Sequence, residues 1–315
     1  MPHTGVDRRS LLVIAAAIPV ASQAQAQPTP LVIDLWPAAP PDGTGPHGPE
    51  QVDTNGSITN VSRPRLLAYG PAKPNGTAIV VISGGGYARI EAGKESTPAC
   101  RWLQSIGATV FELIYRLPGE GWSRNAPFQD AQRAMRIVRA HAGSYEINPA
   151  RIGVIGFSAG GHLAGMISVL PDKPFYQPVD GADTTSARPD FAGLIYPVLT
   201  MMPPYDHTHS RRSVLGLHPT EAESVAYSVE RHADARTPPT FLAQAADDPI
   251  SPIENSVMMF QALRGARVPA ELHVFQSGRH GWSMGPPNSE TRIWPVLFSD
   301  WAAHNGFLPP LPPNG

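Results

Sequence analysis

Arg151-Ile152-Gly153-Val154-Ile155-Gly156-Phe157-Ser158-Ala159-Gly160-Gly161-His162 is the stretch on which the reading of the fold turns. Its apolar run, Ile152–Phe157, predicts a short buried strand. The run ends in Gly156-Phe157-Ser158-Ala159-Gly160, a G-x-S-x-G pattern, and a helix-like segment follows over residues 162–170. Strand, sharp turn and helix are the context in which this loose pattern becomes a nucleophile elbow. The turn strains the serine backbone, and side chains two residues to either side would collide with the neighbouring strand and helix. The helix start also offers free backbone N–H groups to a developing negative charge. Glycine and serine are common residues, so the pattern alone also describes an ordinary strand-to-helix turn.

A serine hydroxyl becomes a good nucleophile only beside a base, normally a histidine held in one tautomer by a carboxylate. Such groups collect just past the C-terminal ends of strands in an open α/β sheet. Of the eleven histidines, His280 fits best, because it follows a strand predicted at 271–275 and lies between Gly278 and Gly281 in Gly278-Arg279-His280-Gly281. His273 falls inside that strand, and His162 falls inside the helix after the elbow, where a structural role is expected. His207, His209 and His218 lack the accompanying carboxylate or cysteine pattern of a metal site and are taken as loop residues. The carboxylate is expected after the preceding strand, Thr240–Ala245, in Ala246-Asp247-Asp248-Pro249; Asp248 is favoured over Asp247. Ser158, Asp248 and His280 then follow the order seen in α/β-hydrolases. A further apolar run, residues 77–82, ends in Ser83-Gly84-Gly85-Gly86-Tyr87. Glycines let backbone N–H groups approach a ligand closely, so an oxyanion site is expected from the N–H groups of Ala159 and of Gly85 or Gly86, with that of Tyr87 a further candidate.

The 315 residues suit one large α/β domain with insertions or two small ones. A net charge of −2 gives no electrostatic case for binding nucleic acid or an anionic membrane surface. Near the N-terminus, Arg8-Arg9 precede a short apolar run and then Ala24-Gln25-Ala26, a cleavage-site pattern. The expectation is a signal peptide over residues 1–26 of the twin-arginine type, too short for stable membrane insertion, and export to the periplasm or beyond. Mass spectrometry finding an intact N-terminus on cytoplasmic protein would count against it. Cys100 is the only cysteine, so no intrachain disulfide forms; it is expected to be a small buried hydrophobe.

Strand-like runs at 31–35, 58–69 (broken at Pro64), 77–82, 108–114, 152–157, 191–196, 240–245 and 271–275 are interleaved with helix-like segments at 97–106, 128–142, 162–170, 253–264 and 291–305. That alternation predicts an α/β fold, a mostly parallel sheet with helices on both faces. Residues 27–315 are read as one domain. Residues 197–228 are irregular and long for a connection, which suits either a cap or rim over the site or a solvated insertion. Tyr87, Trp122 and Trp282 are candidates to line a substrate pocket, with half-buried packing the plain alternative.

Taken in order, Leu35-Trp36-Pro37, Gly84-Gly85-Gly86-Tyr87, Tyr115-Arg116-Leu117, Pro127-Phe128-Gln129-Asp130-Ala131, the elbow through Ala164, Ala246-Asp247-Asp248-Pro249 and Gly278-Arg279-His280-Gly281 cover most of residues 31–305. In these the chain resembles the α/β-hydrolases of the bacterial acetylxylan-esterase-like, carbohydrate-esterase kind. The resemblance implies a serine esterase that needs no metal or other cofactor and acts on acetyl-type esters of carbohydrates or similar small alcohols. It also implies a structural Asp130. Ser83, which stands where esterases carry the histidine of an H-G-G-G motif, and residues 197–228 are where this chain departs from relatives. A serine peptidase of the prolyl-oligopeptidase kind shares the order of residues, but fewer than 130 residues precede the helix before the elbow strand, too few for a large propeller. A short-chain lipase is a further alternative, though no broad amphipathic lid is visible. Oligomeric state is not legible.

Overall fold

The computed structural model describes residues 1–2 and 29–310. The export segment expected at residues 1–26 therefore lies outside the described residues, apart from its first two. Among the described residues ten strands form: β1 Leu31–Asp34, β2 Gln51–Val52, β3 Ile58–Thr59, β4 Arg65–Tyr69, β5 Ala78–Ile82, β6 Thr109–Ile114, β7 Ile152–Phe157, β8 Phe191–Ile195, β9 Thr240–Ala245 and β10 Ala270–Phe275. Eight of them make one sheet in the order β1-β4-β6-β5-β7-β8-β9-β10. The six strands from β6 to β10 pair in parallel, while β4 and β1 extend the sheet antiparallel at one edge. From β5 the chain steps outward to β6 and then returns to β7 on the other side. The crevice at this change of direction is where open α/β sheets place their ligands.

The β-branched, wholly apolar β5 is buried at all five positions, as a central parallel strand requires. Its alternate side chains enter two cores. Ala78, Val80 and Ile82 face a core shared with α2 (Ala126–Ala140), α3 (Ala159–Val169) and α6 (Glu254–Gly265). Ile79 and Val81 face a second core completed by α1 (Ser96–Ser105) and α7 (Trp294–His304). Both faces are thus covered by helices, as the alternation of elements predicts. Cys100 is buried in α1 within the second core, behaving as a small hydrophobe.

Two helix starts differ from expectation by three residues. Helix α3 starts at Ala159, directly after the serine, and not at His162. Gly160 and Gly161 are poor helix formers, but packing outweighs propensity here. A Cβ on Gly160 would lie 2.2 Å from the Ile82 carbonyl oxygen, and one on Gly161 would lie 2.7 Å from Pro197 Cβ. Gly160 lets the helix lie against the end of β5, and Gly161 lets it lie against the segment after β8. At the other end, α7 is preceded by a 3-10 turn, Glu290–Ile293, and begins at Trp294 with Pro295 in its first turn. Proline fits there because the first-turn N–H groups have no intrahelical acceptor.

Residues 197–228, read as irregular, contain two short helices, α4 (His209–Leu215) and α5 (Glu221–Ala226). Thr208 caps the first, and Thr220 with Glu223 forms a reciprocal capping box on the second. Asp130 is buried at the start of α2, where its carboxylate accepts from the Arg116 backbone N–H (2.8 Å), the Arg116 guanidinium (2.8 Å) and Trp36 Nε1 (2.8 Å). One side chain thereby ties α2 to the loop after β6 and to the strand-leaving segment of β1, the structural role the resemblance implies.

Candidate active site

Ser158 stands at the turn between β7 and α3 with φ 51° and ψ −117°. For a residue with a Cβ this is a strained backbone, of the kind that costs about 1–3 kcal/mol and persists only when its surroundings enforce it. They do: its N–H donates to the Ile195 carbonyl at 3.0 Å, and its carbonyl accepts from Val198 N–H at 3.1 Å. Gly156 cannot be replaced without a clash, since a Cβ there would lie 2.2 Å from the Gly160 carbonyl oxygen. The outcome is a hydroxyl raised above the end of β7.

His280 Nε2 lies 2.8 Å from Ser158 Oγ, and His280 Nδ1 lies 2.7 Å from Asp248 Oδ2. An ionised carboxylate can only accept, so Nδ1 carries the proton and Nε2 turns a lone pair to the serine hydroxyl. The Asp248 side chain is fully buried, a costly place for a charge unless every lone pair is met. Oδ1 accepts from the N–H groups of Ile250 and Ser251, both at 2.9 Å, and Oδ2 also accepts from Gln244 Nε2 at 3.0 Å. Asp247 does something else. It is exposed, and its Oδ1 accepts from the N–H groups of Gly278 (2.9 Å) and Arg279 (2.7 Å), bracing the loop that carries His280.

The glycine loop after β5 lies beside the elbow. A Cβ on Gly84 would sit 2.7 Å from Ser158 Cβ, and Gly85 and Gly86 have φ of 114° and 65°. Among the described residues, the N–H groups of Gly85, Gly86 and Ala159 have no protein acceptor. Two loops from adjacent strands therefore present free donors at one place. Two residues of the segment 197–228 meet this loop: Ser213 Oγ donates to the Gly86 carbonyl at 2.8 Å, and a Cβ on Gly86 would lie 3.0 Å from the exposed His209 ring.

The three aromatic pocket candidates are all buried. Tyr87 has no exposed surface; its φ of 61° turns the ring inward, and its hydroxyl bonds His162 Nδ1 at 2.8 Å. Trp122 is buried with the Arg116 guanidinium 4.9 Å from its ring, and its Nε1 donates to the Val61 carbonyl. Trp282 lies under the His280 loop, packed edge-on to Tyr196 at 4.6 Å and Phe275 at 5.9 Å. His273 pairs with Glu271 at 2.6 Å within β10, away from the serine. No group of three or more His, Cys, Asp or Glu side chains among the described residues is arranged to hold a metal ion.

His162 is wholly buried under the site. Its Nε2 donates to the Tyr227 carbonyl at 2.8 Å, so Nδ1 accepts from Tyr87. Burial pushes its pKa down from 6.5 to about 4. In the unfolded chain the ring protonates near its ordinary value, so between the two the unfolded state binds more protons and stability falls as pH falls. Thermal unfolding should therefore show the wild type losing up to about 3 kcal/mol more than His162→Gln across that window. Parallel pH profiles of the two proteins would rule out the neutral buried imidazole.

Sequence reasoning missed two further residues beside the site. Glu95, 3% exposed at the start of α1, accepts the Gly84 N–H and the Tyr196 hydroxyl. Burial pushes its carboxyl pKa up. Tyr196 is fully buried, has a φ of 37°, and lies edge-on to the His280 ring at 5.1 Å. No local motif marks either one; only their meeting in space does. No helix among the described residues is long and apolar enough to cross a membrane.

The chain is 32% identical over 233 residues to an acetylxylan esterase of Xylanibacter ruminicola, covering 73% of this chain and 46% of that protein. The chain spans half or less of the length of the curated relatives it matches. Among solved structures, an acetyl ester-xyloside bifunctional hydrolase from Caldicellulosiruptor lactoaceticus superposes with a TM-score of 0.76 at 34% identity, over 90% of this chain and 100% of that one. A thermophilic esterase of Thermogutta terrifontis, solved with propionate bound, gives 0.68 at 26% identity over 84% and 97%. These are neighbours on the α/β-hydrolase fold. The BD-FAE family model matches residues 68–263, from the end of β4 to the last turns of α6, and the chain belongs to that family.

Proposed function

We propose that this chain is a serine carboxylesterase that removes short, acetyl-type acyl groups from esters of carbohydrates or similar small alcohols. The observation that carries the reading is the unbroken line from Ser158 Oγ through His280 to a fully bonded Asp248 carboxylate. In the proposed reaction His280 Nε2 takes the hydroxyl proton as Ser158 Oγ attacks the ester carbonyl. Asp248 holds the imidazole and balances the charge it gains. The N–H groups of Gly85, Gly86 and Ala159, fixed before substrate arrives, receive the oxyanion, a contribution of about 2.7–4 kcal/mol per donor in comparable sites. The tetrahedral intermediate expels the alcohol, which takes its proton from His280. Water, activated by the same imidazole, then releases the acid.

The relatives support the acyl and alcohol halves of the proposal: two of them are named for acetyl esters, and one is described with propionate bound. Residues 27–315 would form one catalytic domain, with 197–228 as the rim that bounds the acyl or alcohol side through α4. Export to the periplasm or beyond belongs to the same proposal and suits an enzyme acting on polymer-derived esters.

A substrate panel tests it. Acetate esters of p-nitrophenol and acetylated xylan should be turned over, with kcat/KM falling from acetate and butyrate to octanoate and laurate. A preference for laurate would replace the reading with a lipase. Faster cleavage of peptide amides than of acetyl esters would replace it with a peptidase.

A further inference from the structure

We propose that Glu95 and Tyr196 set the register between the oxyanion donors and the general base, making Glu95 a positioning residue for acyl transfer at Ser158. The proposal rests on the esterase reading above. Its starting point is a single buried carboxyl group bonded in two directions. Oε2 accepts the Gly84 N–H at 2.6 Å, at the root of the glycine loop and against Ser158 Cβ. Oε1 accepts the Tyr196 hydroxyl at 3.1 Å. The Tyr196 oxygen in turn accepts the Ser283 N–H at 3.1 Å, three residues beyond His280.

Ser283 is held from two more sides. Its Oγ donates to the Lys94 carbonyl, next to Glu95, and its own carbonyl accepts Trp294 Nε1 at 2.8 Å. The catalytic loops follow β5, β7, β9 and β10, and the His280 loop after β10 is separated from β7 by β8 and β9. Without a cross-tie, the distance between the glycine loop and the His280 loop would depend on the flexibility of two long connections. The Gly84–Glu95–Tyr196–Ser283 chain is that cross-tie, and it runs beneath the reacting serine. Two costs are borne to keep it: a carboxyl with 3% exposure, and a tyrosine backbone in the left-handed region. Donors and base must both be correct at the same moment, when the oxyanion and imidazolium form, and a displacement of about 1 Å in such a site costs about 100-fold in rate.

Glu95→Ala, Glu95→Gln and Tyr196→Phe test the proposal on acetyl esters, with kcat expressed per serine titrated by a fluorophosphonate probe. Glu95→Ala should lower kcat by about 100-fold with KM within about threefold, since only transition-state interactions are lost. Glu95→Gln should recover much of this, because its amide oxygen can take the Gly84 N–H and its NH2 can donate to the Tyr196 oxygen. Tyr196→Phe keeps the ring packing and should lower kcat about tenfold, the scale of one lost hydrogen bond. A Glu95→Ala protein within about threefold of wild-type kcat, or losing only in KM, overturns the proposal. If Glu95→Ala does not fold, unchanged kcat in Tyr196→Phe overturns it instead. Failure of the esterase reading looks different: the wild type itself would not hydrolyse esters, or Ser158 would not be the residue labelled.

Discussion

Ser158→Ala should lower kcat for acetyl-ester hydrolysis by about 10⁴- to 10⁶-fold while the protein stays folded, the scale found when the serine of a comparable triad is removed. The substitution deletes one oxygen at a site 7% exposed and leaves the Cβ that the elbow already accommodates at φ 51°. The Ile195 and Val198 backbone bonds that hold the turn do not involve the side chain. Only the 2.8 Å bond to His280 is lost, so unfolding free energy should change by no more than about 1 kcal/mol. Residual turnover would come from the oxyanion donors acting on water held by His280. Steady-state kinetics beside a thermal melt checks the pair of expectations. Turnover near wild type in a folded variant would remove Ser158 from the mechanism.

The features legible in the sequence are those that chemistry ties to local pattern. Strand β7 begins and ends where its continuous apolar run does, because a strand buried on both faces leaves no polar position to blur its ends. Ser158, Asp248 and His280 could be found because each is required just past a strand, and strands are readable. Direction was not readable. Tyr87 follows a glycine loop at the site, yet one positive φ sends its ring into the core against His162. Trp122 and Trp282 sit in loops that suit either stacking on a substrate or half-buried packing; a guanidinium lies against one ring and an aromatic cluster against the other. Glu95 and Tyr196 are 101 residues apart, and their bond has no trace in either local sequence. The helices within 197–228 were legible in principle: Thr220 followed three residues later by Glu223 is a capping-box signature, and it does cap α5.

Asp248→Asn should lower kcat by about 10⁴-fold, as the equivalent change does in a serine-protease triad, whereas Asp247→Asn should leave it within about tenfold of wild type. The hydrogen-bond directions around the two side chains make the difference. Two backbone N–H groups, from Ile250 and Ser251, point at the Oδ1 position of Asp248, so an asparagine there must keep its oxygen on that side. Its NH2 then occupies the Oδ2 position, facing His280 Nδ1 at the 2.7 Å contact. A donor facing Nδ1 makes that nitrogen the acceptor and moves the ring proton to Nε2, the atom that must receive the serine proton. The base is lost with little change of shape. At Asp247 the only demands come from the Gly278 and Arg279 N–H groups, both met by Oδ1, and an amide oxygen meets them as well. The cost there should be a loosened His280 loop and less than about 1 kcal/mol of stability. Kinetics of the two single variants on one acetyl ester separate the roles, and a collapse confined to Asp247→Asn would reverse the assignment.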